Sequence, residues 1–441
     1  MEMKLMTGLA IITALLMHHL SLAIADHTRG FNATSAGFSL RLVSNHEVPG
    51  HTIRRGSDGF LYLQQHSLSA SVANVTTLRP ETRYNVVVFV GTGNGKREII
   101  LKLDTSSSLT WLQCHPCAPQ APQFNPVFDP SASPTFRYVD GTSQICQPPF
   151  QHDPAGGLCA FHLAGAGAMS VHGYVSLDHF TRKDGDVLTD YPFGCSHSTE
   201  NFHSKGIYAG VVAIGRAPTS FVMQVAARGL THFSYCLFGE TNRQGFLRFG
   251  TNVPRNPWYR TTRILPALDA HESAYYVSLV GVSLGTRRLD NIRPEMFARR
   301  KDGQGGSVID PGTPLTVMVH EAYRIVEEAV LSDLERHGAE RVQRPIYGLC
   351  VQATEAIKGR LPSLSLHFAE EEVTLVVSPK QLFLMMDDKQ AGQIACLAMT
   401  PGLRTVIGAL QQVDTRFVYD LKDAKLSFAQ ESCTRETTQV L

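Results

Sequence analysis

A surplus of charge of one sign, a second long apolar run and metal-ligand spacing are all missing from this 441-residue chain. Forty basic residues stand against thirty-nine acidic ones, so no field favours nucleic acid or an anionic membrane surface. Beyond residue 25 no segment reaches the eighteen apolar residues of a membrane span, and a soluble body is expected. Eighteen histidines include no His-Glu-x-x-His, and no second Cys or His pair complements Cys114-His-Pro-Cys117 at zinc spacing, so no metal site is expected. Gly91-Thr-Gly-Asn-Gly95 lacks the Lys-Ser/Thr pair of a phosphate loop, and a strand pattern follows where a helix should begin. Gly281-Val-Ser283-Leu-Gly285 has nucleophile-elbow spacing, but Arg287-Arg-Leu-Asp-Asn-Ile-Arg-Pro294 does not read as the helix that should follow, and a hairpin turn is the better reading. Cys114 and Cys117 have the spacing of a redox dithiol, yet they precede a Pro-rich loop instead of opening a helix, which favours structural disulfide chemistry.

What is present begins with Lys4, an apolar run from Leu9 to Met17 and the small-x-small site Ala23-Ile24-Ala25, the pattern of a secretory signal peptide over residues 1–25. His18 and His19 interrupt the run, which is too short for a bilayer span. Secretion makes the cysteines candidates for disulfides, and nine leave at least one free or paired elsewhere. Residues 26–80 carry two glycosylation sequons, at Asn32 and Asn74, and few strong strand or helix patterns, as a leader would. From Tyr84 the texture is short strands with turn punctuation. Tyr84-Asn-Val-Val-Val-Phe-Val90, the glycine turn and Glu98-Ile-Ile-Leu-Lys-Leu103 read as a hairpin. Residues 117–149, rich in Pro, Ser and Gln, predict an irregular excursion that Cys117 and Cys146 could staple. One helix is clear, over 319–337, with Ala322, Ile325, Val326, Ala329, Val330 and Leu334 on one face. The chain reads as mostly β.

Two acids occupy similar turns. Leu101-Lys-Leu-Asp104-Thr-Ser-Ser-Ser-Leu-Thr-Trp111 runs strand, acid, hydroxyl-rich turn, apolar run, and Gly306-Ser-Val-Ile-Asp310-Pro-Gly-Thr313-Pro-Leu-Thr repeats the plan. Each is followed by an apolar-apolar-Gly strand, Val212-Ala-Ile-Gly215 and Thr405-Val-Ile-Gly408. One Asp in a turn is a common cap. Two in matching settings suggest duplicated halves meeting at a site where paired carboxylates share a proton.

These turns, with Phe128-Asp-Pro-Ser, Phe193-Gly-Cys195, Phe233-Ser-Tyr-Cys236-Leu, Cys396-Leu-Ala and Val418-Tyr-Asp420-Leu in order, resemble the pepsin-like aspartic proteases of the plant nepenthesin type, from about Tyr84 to Cys433. Gly37-Phe-Ser-Leu-Arg-Leu resembles the family's prosegment. The resemblance implies two β-rich lobes, 81–258 and 259–441, with a cleft between them, and a leader that packs across or beside the cleft until it is removed. It makes Asp104 and Asp310 the catalytic pair, Ser107 and Thr313 the hydroxyls on their outer oxygens, Thr105 half of a link between the acid loops, and Trp111 the partner of a flap tyrosine. No cofactor or metal is implied. The resemblance further implies a polypeptide substrate and a monomer of the secretory route, extracellular or vacuolar. Disulfides implied are Cys236 with Cys433, Cys350 with Cys396 and Cys146 with Cys159, leaving Cys114, Cys117 and Cys195 to supply one bond and the free thiol. Three departures stand out. Ser106 replaces a Gly in a crowded turn and is expected to strain it; Pro311 replaces a Ser or Thr; and the flap tip, counted from Cys159 to Gly173, falls on Gly165-Ala-Gly-Ala-Met169 without its tyrosine. A weak or inactive member that binds a partner, as plant xylanase inhibitors of similar fold do, is the alternative.

Overall fold

A computed structural model describes residues 37–45, 47–48, 51–65 and 83–433, apart from 166–167, 183–184, 203, 205, 240–243, 270–271, 301, 345–346, 372 and 389. The expected signal peptide over 1–25, both sequons and residues 434–441 lie outside the described residues.

Strands dominate, in four sheets among the described residues. The largest, of fifteen strands, runs through both halves of the chain. At its centre Arg83–Val90 turns through a short 3-10 segment, Gly93–Gly95, into the antiparallel strand Arg97–Asp104. Alternation explains both strands: Tyr84, Val86, Val88 and Val90, with Ile99, Leu101 and Leu103, fill one core. Each acid strand then takes the same partner from its own half. Gly210–Ala213 lies parallel to Arg97–Asp104, with Val212 opposite Leu103, and Thr405–Ile407 lies parallel to Ser307–Ile309, with Val406 opposite Val308. The glycines that end these strands touch backbone: a β-carbon at Gly215 would stand 2.6 Å from the carbonyl oxygen of Ser107, and one at Gly408 2.5 Å from the carbonyl carbon of Leu315. The repeat legible in the sequence is therefore a repeat of packing.

The lobes share the large sheet. His232–Cys236 pairs with Thr415–Asp420, placing Phe233 opposite Tyr419 with rings stacked at 4.5 Å. A disulfide joins Cys236 to Cys433, and others join Cys350 to Cys396, Cys146 to Cys159 and Cys114 to Cys195. Cys117 is the free thiol, so neither Cys117 with Cys146 nor Cys114 with Cys117 staples the Pro-rich excursion. The helix His320–Glu335 buries Ala322, Tyr323, Val326, Val330 and Leu334, while Ile325 and Ala329 pack more loosely beside them.

The stretch expected as a leader with few strand patterns forms strands. Gly37–Asn45 is a full strand inserted between Arg83–Val90 and Gln244–Gly250, with Phe38, Leu40 and Leu42 buried. A hairpin, His51–Arg55 and Leu61–Gln65, extends a sheet of the second lobe, where Leu61, Tyr62 and Leu63 run parallel to Leu384, Met385 and Met386. Arg55 bonds Asp414 at 2.6 Å and Phe38 stacks on Phe249 at 4.6 Å. None of these contacts reaches the acid loops. The described part of this segment completes sheets of both lobes, because its alternating apolar residues find covered faces there.

Candidate active site

Asp104 ends its strand and Asp310 follows Ile309 out of another. In the first loop the amides of Ser106 and Ser107 donate to Oδ1 of Asp104 at 2.8 and 3.0 Å, and the hydroxyl of Ser106 donates to the same oxygen at 2.7 Å. The hydroxyl on this acid is thus that of Ser106, with Ser107 contributing its backbone N–H. Ser106 is exposed and lies outside the set of residues with positive φ, so the strain expected of a side chain here is absent.

In the second loop the amide of Gly312 donates to Oδ1 of Asp310 at 2.9 Å and the Thr313 hydroxyl to Oδ2 at 2.7 Å. Thr105 reaches across from the first loop, its hydroxyl 2.8 Å from Oδ1 of Asp310 and 3.0 Å from the carbonyl oxygen of Ile309. Pro311 has no N–H or hydroxyl to return, so the link between loops runs one way. Space at Gly312 is tight: a β-carbon there would stand 3.1 Å from Oδ1 of Asp310 and 3.3 Å from Cγ of Asp104. Both carboxyl groups therefore crowd one small volume.

Their surroundings differ. Asp310 is buried, and burial pushes its carboxyl above the usual carboxylate range, with the charge of Asp104 adding to the effect; the Thr313 hydroxyl, Lys102 and the Gly312 amide oppose it. Asp104 is more open, at 16% side-chain exposure, and Nζ of Lys102 lies 3.9 Å from its Oδ2. Asp310 is thus the acid suited to carry a proton.

Several participants were missed in the sequence. The Ser273 hydroxyl bonds the carbonyl oxygen of Ser106 and thereby props the first loop from the second half of the chain; nothing local to residue 273 signals this. Thr110 and Thr316, each six residues after its acid, accept amides of the glycine-ended strands, from Ala213 at 3.1 Å and Gly408 at 3.0 Å. Their common offset was a signal in plain view.

The flap is the hairpin Cys159–Gly165 and Met169–Arg182, with Gly165 opposite Met169, so counting placed its tip correctly. Residues 166–167 lie outside the described set. Tyr174, on the return strand, is engaged with Asp153 at 3.0 Å. Trp111 is buried against Phe202, ring centroids 4.7 Å apart, in an apolar cluster with Phe161 and Val171 of the flap strands.

A two-lobed β structure with one acid loop from each lobe at a shared site is the pepsin-like class. Family models described as "Xylanase inhibitor N-terminal" and "Xylanase inhibitor C-terminal" match residues 85–251 and 274–430. Aspartyl protease family protein 2 of Arabidopsis thaliana is 30% identical over 358 residues, covering 78% of this chain and 70% of that protein. Aspartic proteinase nepenthesin-2 of Nepenthes gracilis is 25% identical over 401 residues, covering 89% and 87%. The chain belongs to this plant pepsin-like family of nepenthesin and xylanase-inhibitor type. Among solved structures, the soybean basic 7S globulin aligns at a TM-score of 0.62 with 17% identity, over 90% of this chain and 99% of the other, a likeness of fold alone. Among the described residues no helix is long and apolar enough to cross a membrane.

Proposed function

We propose that this protein is a secreted aspartic endopeptidase, with Asp104 and Asp310 cleaving polypeptides at acidic pH. Its leader would span 26–80, and its lobes 81–258 and 259–441. The observation that carries this reading is the donor set: three bonds to Oδ1 of Asp104 and three to the two oxygens of Asp310, one of them crossing between loops. A scaffold that only binds a partner needs none of these. The ionised Asp104 takes a proton from a water held between the acids, that water attacks the scissile carbonyl carbon, and the protonated Asp310 donates to the carbonyl oxygen. The names of the relatives, aspartic proteinases among them, support the same chemistry. Acid-pH digestion of an unstructured protein tests it: Asp104→Asn and Asp310→Asn should each lower the initial rate by about 10²–10⁴-fold. Parent and variants releasing equal amounts of peptide would overturn it.

A second reading, a binding module like the xylanase inhibitors that name the family models, draws on Pro311 and on the Gly165–Met169 closure of the flap. It predicts no cleavage at any pH together with saturable inhibition of a xylanase by the parent protein.

A further inference from the structure

Two residues before the first acid, on the same face of its strand, stands a lysine. Ile99, Leu101 and Leu103 point to the core, leaving Ile100, Lys102 and Asp104 on the other side. Nothing in the water-activation chemistry calls for a cation here. Yet Nζ of Lys102 is 3.9 Å from Oδ2 of Asp104, in a setting where the two side chains are only 25% and 16% exposed. Oδ2 is the oxygen the loop leaves open, because the bonds from Ser106 and Ser107 all go to Oδ1.

The strands paired with Lys102 offer its ammonium no rival charge. Asn85, opposite Lys102 in the antiparallel pair, is neutral and fully buried, and its amide atoms have no hydrogen-bond partner among the described residues. Val211 and Ala213, opposite Lys102 and Asp104 in the parallel pair, are apolar. From the other side the facing titratable groups are Asp310 and, within its electrostatic reach, the phenols of Tyr235 and Tyr419, both pushed up by burial and so uncharged. The ammonium acts on Asp310 as well, opposing the upward push of burial.

We infer that Lys102 is a positioning residue of the acid pair, a fixed positive charge that offsets the negative charge of the working dyad and sets the pH window in which it operates. The consequence for catalysis rests on the protease reading; the effect on the carboxyl groups does not. A fixed cation stabilises each protonation state in proportion to its negative charge. The form with both acids ionised gains most, the form with one gains less, and the neutral form gains nothing. Both proton losses therefore come at lower pH with Lys102 than without it, and the activity window moves toward acid.

The test is a carbon-13 NMR titration of aspartate-carboxyl-labelled full-length protein, with the Asp310 signal identified by its loss in Asp310→Asn. Parent, Lys102→Met, Lys102→Arg and Lys102→Gln are compared, the glutamine variant guarding against a folding defect particular to methionine. In the two uncharged variants Asp310 should titrate at measurably higher pH, while Lys102→Arg leaves its titration where the parent has it. The upper limb of kcat/KM against pH should move by the same amount. Unchanged titration of Asp310 in Lys102→Met and Lys102→Gln overturns the inference, whether or not the parent cleaves peptide. If Asp310 moves as expected and the parent cleaves nothing, the role of Lys102 stands and the protease reading falls.

Discussion

The asymmetry between the two acids has a consequence for stability. Burial and the charge of Asp104 push the Asp310 carboxyl up, whereas unfolding returns it to the ordinary aspartate value. The folded state therefore holds this proton more tightly. The stability that follows is complete below the unfolded value and is lost as pH rises through the folded one. Asparagine mimics the protonated form at every pH. Asp310→Asn should thus melt close to the parent at about pH 3, near the unfolded aspartate value, and increasingly above it as pH approaches neutrality. Scanning calorimetry at both pH values checks this, and a constant difference in melting temperature would mean that ionised Asp310 carries no burden.

At the scale of the flap the sequence and structure agree on a hairpin whose tip lacks a phenol. Closure excludes water and holds the peptide, and the tip residues 165, 168 and 169 offer glycine, alanine and methionine for that task. A β-carbon at Gly165 would meet Cε of Met169 at 2.6 Å, the mobile end of a flexible side chain, so a tyrosine there is accommodated by a rotamer change. Gly165→Tyr should raise turnover of an unstructured protein at acidic pH by about tenfold, equal to about 1.4 kcal/mol of barrier. Pro311→Ser should do less, because the acids keep their donors without it. Initial rates of both variants against an Asp310→Asn blank decide between them; a rise with Pro311→Ser alone would put the defect in the acid loops.

For the whole molecule the decisive feature is that the described leader is woven into both lobes. Phe38, Leu40 and Leu42 are core residues of the shared sheet, and full burial of such side chains is worth about 1.5–3 kcal/mol each. A chain cut between residues 65 and 83 should therefore keep its N-terminal piece bound without a covalent link. After cleavage at a protease site engineered there, the fragment should co-elute with the body on gel filtration and separate only in denaturant. Release in native buffer, with the body's melting temperature unchanged, would show that the strand is dispensable.

Much of this was legible in order along the chain. The paired acid turns, the glycine-ended strands, the flap length and the helix at His320–Glu335 are local patterns, and local patterns carry their own physical cause: alternation, turn chemistry, a 3.6-residue stripe. The strand Gly37–Asn45 was not recognised as such, although Phe38, Leu40 and Leu42 alternate, because a short alternating run becomes a strand only when neighbours cover its face and pair its edges. Nor could the sequence say that Ser106, and not Ser107, turns its hydroxyl onto Asp104, that Ser273 props the loop from 167 residues away, or that Cys114 closes on Cys195 and leaves Cys117 free. Each of those depends on which atoms arrive within about 3 Å of one another, or within disulfide reach. Residue type and spacing determined that two acid loops exist; only the tertiary structure decided which donors serve them and placed the Lys102 ammonium at the open oxygen of Asp104.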